Sequence, residues 1–177
     1  GPFKATGANT TFTREPSASR ASRIGDASFT DYKTDILSLN KKQFAVIDDT
    51  VAEKMQNEIV KAKSEGDSVG GVLETAIIGM PQGVGEPWFD SIESMLSHAL
   101  FGIPAIKGVE FGAGFALADM LGSGANDSFY VDGDTVKTKT NNNGGINGGI
   151  TNGMPLTFRV AVKPTPSIFR VQKTVDF

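Results

Sequence analysis

The sequence predicts an α+β fold in which an antiparallel sheet packs with long helices. Two stretches carry apolar residues at helical spacing, residues 48–66 and 86–104. Two others read as strands: the β-branched run 71–78, and the alternating "MPLTFRVAVKP" at 154–164. A third signal is "SFYVDGDTVKTKT" (128–140), which has the look of a hairpin. With strands and helices mixed and such hairpin-like pairs late in the chain, α+β is the natural class.

Residues 1–25 are rich in Ser, Thr, Ala and Gly and show no period. They read as an irregular or mobile arm, ahead of one domain over 26–177. Arg14, Arg20 and Arg23 leave open a basic arm that touches an anion or a neighbouring subunit. In the first helix, Thr50 and Glu53 have capping-box spacing, and Val51, Met55, Ile59 and Ala62 form one apolar stripe. Lys61 and Lys63 suit its last turn, and Gly66 suits a left-handed cap. A strand follows from about Gly71 to Ile78. The second helix starts with Pro87 in its first turn, and Pro104 ends it. Its expected apolar face is Trp88, Ile92, Met95, Leu96, Ala99 and Ile103, with His98 pointing away as a surface or interface residue. Beyond it come a short strand through Phe111 and a helical turn near Phe115–Leu121. Asp132-Gly133 favours a type I′ turn, and the acidic spacing there does not fit a calcium loop. The final strand puts Leu156, Phe158, Val160 and Val162 on one face and Thr157, Arg159, Ala161 and Lys163 on the other.

Bulk properties exclude several classes. A net charge of −3 over 177 residues gives no basic footprint for nucleic acid. No apolar run spans a bilayer, and no signal-peptide pattern opens the chain, so the expectation is a cytoplasmic protein without membrane contacts. With no cysteine there is no disulfide and no thiol nucleophile; one histidine excludes an HExxH metal site. An anionic ligand therefore needs a local cluster of cations.

The stretch "NNNGGINGGITNG" (141–153) has two readings. It is a linker or long hairpin loop, or it lines a ligand with backbone amides, because Gly allows close approach and Asn tolerates left-handed backbone. Just beyond, "KPTPSI" (163–168) offers an ammonium at Lys163 and hydroxyls at Thr165 and Ser167, a donor set suited to phosphate. Neither a P-loop nor a G-x-G-x-x-G fingerprint occurs.

An ordered series of motifs carries a resemblance. "GDSVGG" (66–71), "GEPWFD" (85–90), "IPAIKGVEFGAGF" (103–115), "NNNGGINGGITNG" and "KPTPSI" follow one another as in chorismate synthase, which the chain resembles from about Lys61 to Phe177. The resemblance implies part of that family's β-α-β sandwich. It implies a lyase that eliminates phosphate 1,4-anti from 5-enolpyruvylshikimate 3-phosphate to give chorismate, in the shikimate pathway of aromatic amino acid biosynthesis. Reduced FMN is the implied cofactor, NADP is associated with the family, and the implied assembly is a homotetramer. Position by position, Ala105 and Gly148 match flavin contacts, and Lys163, Pro164, Thr165, Pro166 and Ser167 match the segment at the FMN phosphate. Pro166 stands where the family often has a hydroxyl. The expectation is that the loop amides and Lys163 converge on one flavin.

The family's histidine motifs, G-E-S-H-G and R-P-G-H-A-D, do not occur in this sequence, nor does G-R-H-D-P, so no residue here is expected to be catalytic. The matching portion is central to C-terminal. Two expectations follow: a piece of the enzyme that is inactive alone, or a non-catalytic FMN-binding or assembly module of the same fold. Turnover by the purified 177-residue chain with reduced FMN would contradict both.

Overall fold

The computed structural model describes residues 4–13, 23–24 and 31–176, the first two stretches as backbone. In chain order the elements are β1 (Lys4–Thr13), β2 (Arg23–Ile24), α1 (Tyr32–Leu39), α2 (Asp49–Ser64) and β3 (Gly71–Ile78). Then come α3 (Ile92–Phe101), β4 (Ile106–Phe111), α4 (Gly122–Ala125), β5 (Phe129–Asp132) and β6 (Thr135–Thr138). The last are β7 (Ile146–Asn147), β8 (Ile150–Thr151) and β9 (Leu156–Val162). Five strands form one antiparallel sheet in the order β2-β1-β3-β9-β4, while β5-β6 and β7-β8 are separate hairpins. The α+β expectation holds.

The sheet has two distinct faces because side chains alternate along each strand. One face buries Leu156, Phe158 and Val160 with Ile92 of α3, Ile106 and Ile146; Leu73, Ile77 and Val109 pack against them. Phe111 and Phe158 meet as tilted rings, centroids 5.9 Å apart. A fully buried aliphatic such as Leu156 contributes about 1.5–3 kcal/mol, so this layer anchors the sheet to α3. The other face carries Glu74, Ala76, Thr157, Arg159 and Glu110, as the register of β3, β9 and β4 requires. There α1 packs on β1 and β3. Burial, and then the Glu74 carboxylate, raise the Tyr32 hydroxyl above the ordinary tyrosine value.

Several local expectations need correction. Lys4–Thr13, expected within an irregular arm, is a ten-residue strand. Its sequence shows no alternation; the ladder from Thr11↔Val72 to Lys4↔Ile78 supplies the order, a tertiary effect that propensity cannot reveal. Arg14 and Arg20 of the supposed basic arm lie outside the described residues, and Arg23 starts β2. Helix α2 is capped two residues earlier than the Thr50–Glu53 pairing implies: Asp48 is the N-cap and accepts from the Thr50 N–H at 2.8 Å. Met55 and Ala62 of the expected stripe are buried, and Gly66 is left-handed as expected.

The second helix is shorter than expected. Residues Trp88–Asp90 form a separate 3₁₀ turn, Trp88 has φ of 72°, and Ser91 caps α3 through the Ser94 N–H. The helix buries Ile92, with Leu96 and Leu100 packed against the core, while Trp88 is 86% and Met95 57% exposed. Breaking the chain at Ser91 rotates the stripe, so a face computed as if Trp88 were helical points the wrong way. His98 is exposed, as expected. The β5-β6 turn has Gly133 and Asp134 at its centre, with positive φ at Gly133 alone; that is the type II′ pattern, not type I′. Among the described residues, no helix is long and apolar enough to cross a membrane.

Candidate functional site

Three of the sequence motifs meet at one end of the sheet. Antiparallel register sets Gly71 of β3 and Ile106 of β4 opposite Val162, the last residue of β9. The segments flanking those strand ends are therefore neighbours: "GDSVGG" before β3, the turn at Ala105 before β4, and "KPTPSI" after β9. The Lys163 N–H donates to the Ala105 carbonyl at 2.9 Å. Ala105 has φ of 73°, a left-handed backbone unusual for a residue with a Cβ, and this is the conformation in which its carbonyl meets β9. The Ser68 hydroxyl donates to the Thr165 carbonyl at 2.7 Å. The Phe169 N–H donates to the Gly66 carbonyl, and Arg170 reaches Glu65 and Asp67.

This geometry leaves the side chains of "KPTPSI" outward. Lys163 through Ser167 are all exposed. Among the described residues the Lys163 ammonium has no ion pair, and the Thr165 and Ser167 hydroxyls make no hydrogen bond. One free cation and two free hydroxyls on a backbone pinned at both ends is a donor set that fits a phosphate monoester. Pro164 and Pro166 stiffen the segment by fixing φ.

The Asn/Gly stretch lies elsewhere. Gly144 crosses Gly112 so closely that a Cβ on Gly112 would collide with the Asn142 carbonyl. Asn141 donates to the Pro155 carbonyl at 2.8 Å, beside the start of β9. Seven residues of β9, roughly 20 Å, therefore separate this stretch from Lys163. Gly148 and Gly149 form the β7-β8 turn, both with positive φ, and the Gly149 carbonyl accepts from the Ile92 N–H at 3.0 Å. Gly148 thus sits at the N-terminal end of α3, whereas Ala105 follows its C-terminal end. Convergence of the loop amides and Lys163 on one point is not what the structure shows.

Nor does the stretch behave as a linker. Its amides already hold an anion, the buried Asp127 carboxylate. Oδ1 accepts from the Asn142 N–H at 2.8 Å and the Thr140 hydroxyl at 2.6 Å, and Oδ2 accepts from the Asn143 N–H at 2.9 Å. Two successive N–H groups around a carboxylate make an anion-binding concavity. Gly148 is different: it is exposed, with open space where a Cβ would stand.

On the second face of the sheet, Arg159 Nε lies 2.8 Å from Glu110 Oε1 directly across β9 and β4, although its N–H is not aimed along a hydrogen bond. The pair borders a cavity of about 250 Å³ that Phe115 also lines. Among the described residues, no cluster of three or more His, Cys, Asp or Glu side chains could hold a metal.

The chorismate synthase family model matches residues 17–177. This chain belongs to the chorismate synthase family. The chorismate synthase of Thermococcus gammatolerans is 57% identical over 129 residues, covering 73% of this chain and 36% of that protein. The chorismate synthase of Methanobrevibacter smithii is 43% identical over 160 residues, covering 89% of this chain and 44% of that protein. A crystal structure of chorismate synthase shares the fold with a TM-score of 0.74 and 30% identity, over 90% of this chain and 49% of that one. The chain thus spans less than half the length of the relatives it matches.

Sequence reasoning picked out Ala105 and the segment 163–167 as candidates, and the structure joins them. It gave no role to Ser68 or Asp127. Ser68 lay inside a recognised motif, a usable signal; Asp127 in "GANDSF" carried none, because its partners are 13 to 16 residues away.

Proposed function

We propose that this chain forms the FMN phosphate-binding part of a chorismate synthase, a lyase that eliminates phosphate from 5-enolpyruvylshikimate 3-phosphate to give chorismate. What carries the reading is the meeting of Ala105 with Lys163 at the sheet end, on the segment whose free cation and hydroxyls face solvent. Reduced FMN, when bound, supplies electron density to the substrate as its phosphate leaves. The chain's own residues bind and orient. The Lys163 ammonium neutralises the flavin phosphate, the Thr165 and Ser167 hydroxyls donate to its oxygens, and Pro164 and Pro166 limit the conformations of the segment. Ala105 presents its backbone beside the flavin, and Gly148 contributes a distinct backbone contact beyond the phosphate end. The proposal includes a homotetramer in the cytoplasm and leaves proton transfer to groups that this sequence lacks.

Titration of FMN into the full-length protein tests the reading. Lys163→Ala should weaken FMN binding about tenfold to a hundredfold, the loss of one charge-assisted contact. Affinity equal to that of the parent removes the phosphate role from Lys163.

A further inference from the structure

The phosphate segment has no regular structure of its own, since no helix or strand covers Lys163 to Asp176. A flexible donor set binds weakly, because ordering its side chains and backbone opposes association. Something must hold it, and among the described residues its backbone is bonded by the connection between α2 and β3, by Ala105, and by its own Gln172, whose amide donates to the Pro166 carbonyl at 2.9 Å. Ser68 donates to the Thr165 carbonyl. Gly70 lies so close beneath the turn out of β9 that an added Cβ would stand 2.7 Å from the Val162 carbonyl oxygen and 3.0 Å from Pro164 Cδ. Further along, Phe169 and Arg170 fasten the distal end to Gly66 and Glu65.

We infer that Ser68 is a positioning residue for the anion site: its hydroxyl fixes the Thr165 peptide, and so sets where the Lys163, Thr165 and Ser167 donors point. The inference rests on the flavin reading above. Ser68 touches no ligand in this scheme; it acts through the carbonyl of Thr165. Gly70 is the companion requirement, because any side chain there would push the β9 exit off its path.

The test uses the full-length protein and two flavins that differ only in the phosphate, FMN and riboflavin. Ser68→Ala should weaken FMN by about threefold to tenfold, the effect of one hydrogen bond, and leave riboflavin affinity unchanged. Ser68→Thr, which keeps a hydroxyl, should recover most of the loss, and Gly70→Ala should reproduce it. Amide hydrogen exchange without flavin gives an independent readout: Ser68→Ala should speed exchange at Ser167 through Arg170. Unchanged exchange there overturns the positioning role. Equal loss for FMN and riboflavin overturns it as well, since that marks general damage. Faster exchange with unchanged FMN affinity, together with a silent Lys163→Ala, instead overturns the flavin reading on which the inference rests.

Discussion

Asp127 is a buried carboxylate held by two consecutive backbone N–H groups and a hydroxyl, so the chain fills its own anion site. Removing the carboxylate leaves those donors buried without partners. Asp127→Ala should therefore destabilise the protein by about 2–4 kcal/mol, read from urea unfolding. Asp127→Asn should cost less, since one oxygen remains to accept from Thr140 and Asn142 while its amide faces the Asn143 N–H. A loss below that of a typical surface substitution, about 0.5 kcal/mol, would contradict the assignment. Asp48 has a lowered carboxyl pKa, first from the Thr50 hydroxyl and then from the Thr50 N–H. A carboxylate lowered on folding stabilises above its unfolded value, about 3.9, and that contribution disappears as pH falls through the folded value. Asp48→Asn should flatten the fall of melting temperature as pH drops below about 4; identical acid limbs would count against the cap. The role of Asp48 was half legible in the sequence. The Asp-Asp-Thr run announces a helix start, but only backbone geometry tells which residue leaves the helix.

At the scale of the element, α3 separates pattern from position. Its apolar residues are plain in the sequence, yet the buried stripe turns on where the helix starts. Ser91 decides that by capping, with Trp88–Asp90 outside. Ile92→Ala should cost about 2–4 kcal/mol. Met95→Ala, on the face expected to be buried, should stay within about 0.5 kcal/mol in this chain. Chemical unfolding of the two variants checks the difference, and a reversed order would restore the original stripe. Strand β3 shows the opposite case. Its bounds, Gly71–Ile78, were readable because a β-branched run lies between turn residues. Strand β1 was unreadable for the complementary reason: Thr, Ala, Gly and Asn follow one another with no apolar period to mark a strand.

Across the whole molecule, exposed apolar side chains are numerous. Phe89, Phe115, Leu121 and Val131 stand in solvent on different elements, as does Phe169. Large apolar exposure favours association. The 177-residue polypeptide should sediment as species larger than its 18.7 kDa monomer; a clean monomer at high concentration would oppose this. The sequence by itself determined the α+β class and the final strand with its buried face, and it supplied the trio of Lys163, Thr165 and Ser167 on which the proposed phosphate site rests. Each depends on residues close in the chain, whose spacing and chemistry are visible without coordinates. The tertiary structure decided what those pieces adjoin. Antiparallel pairing carried "GDSVGG" and Ala105 to the exit of β9, and it carried the Asn/Gly stretch to the other end of the same strand. Strand register is a long-range property, set by which backbone groups pair and which faces are buried, and no local pattern encodes it.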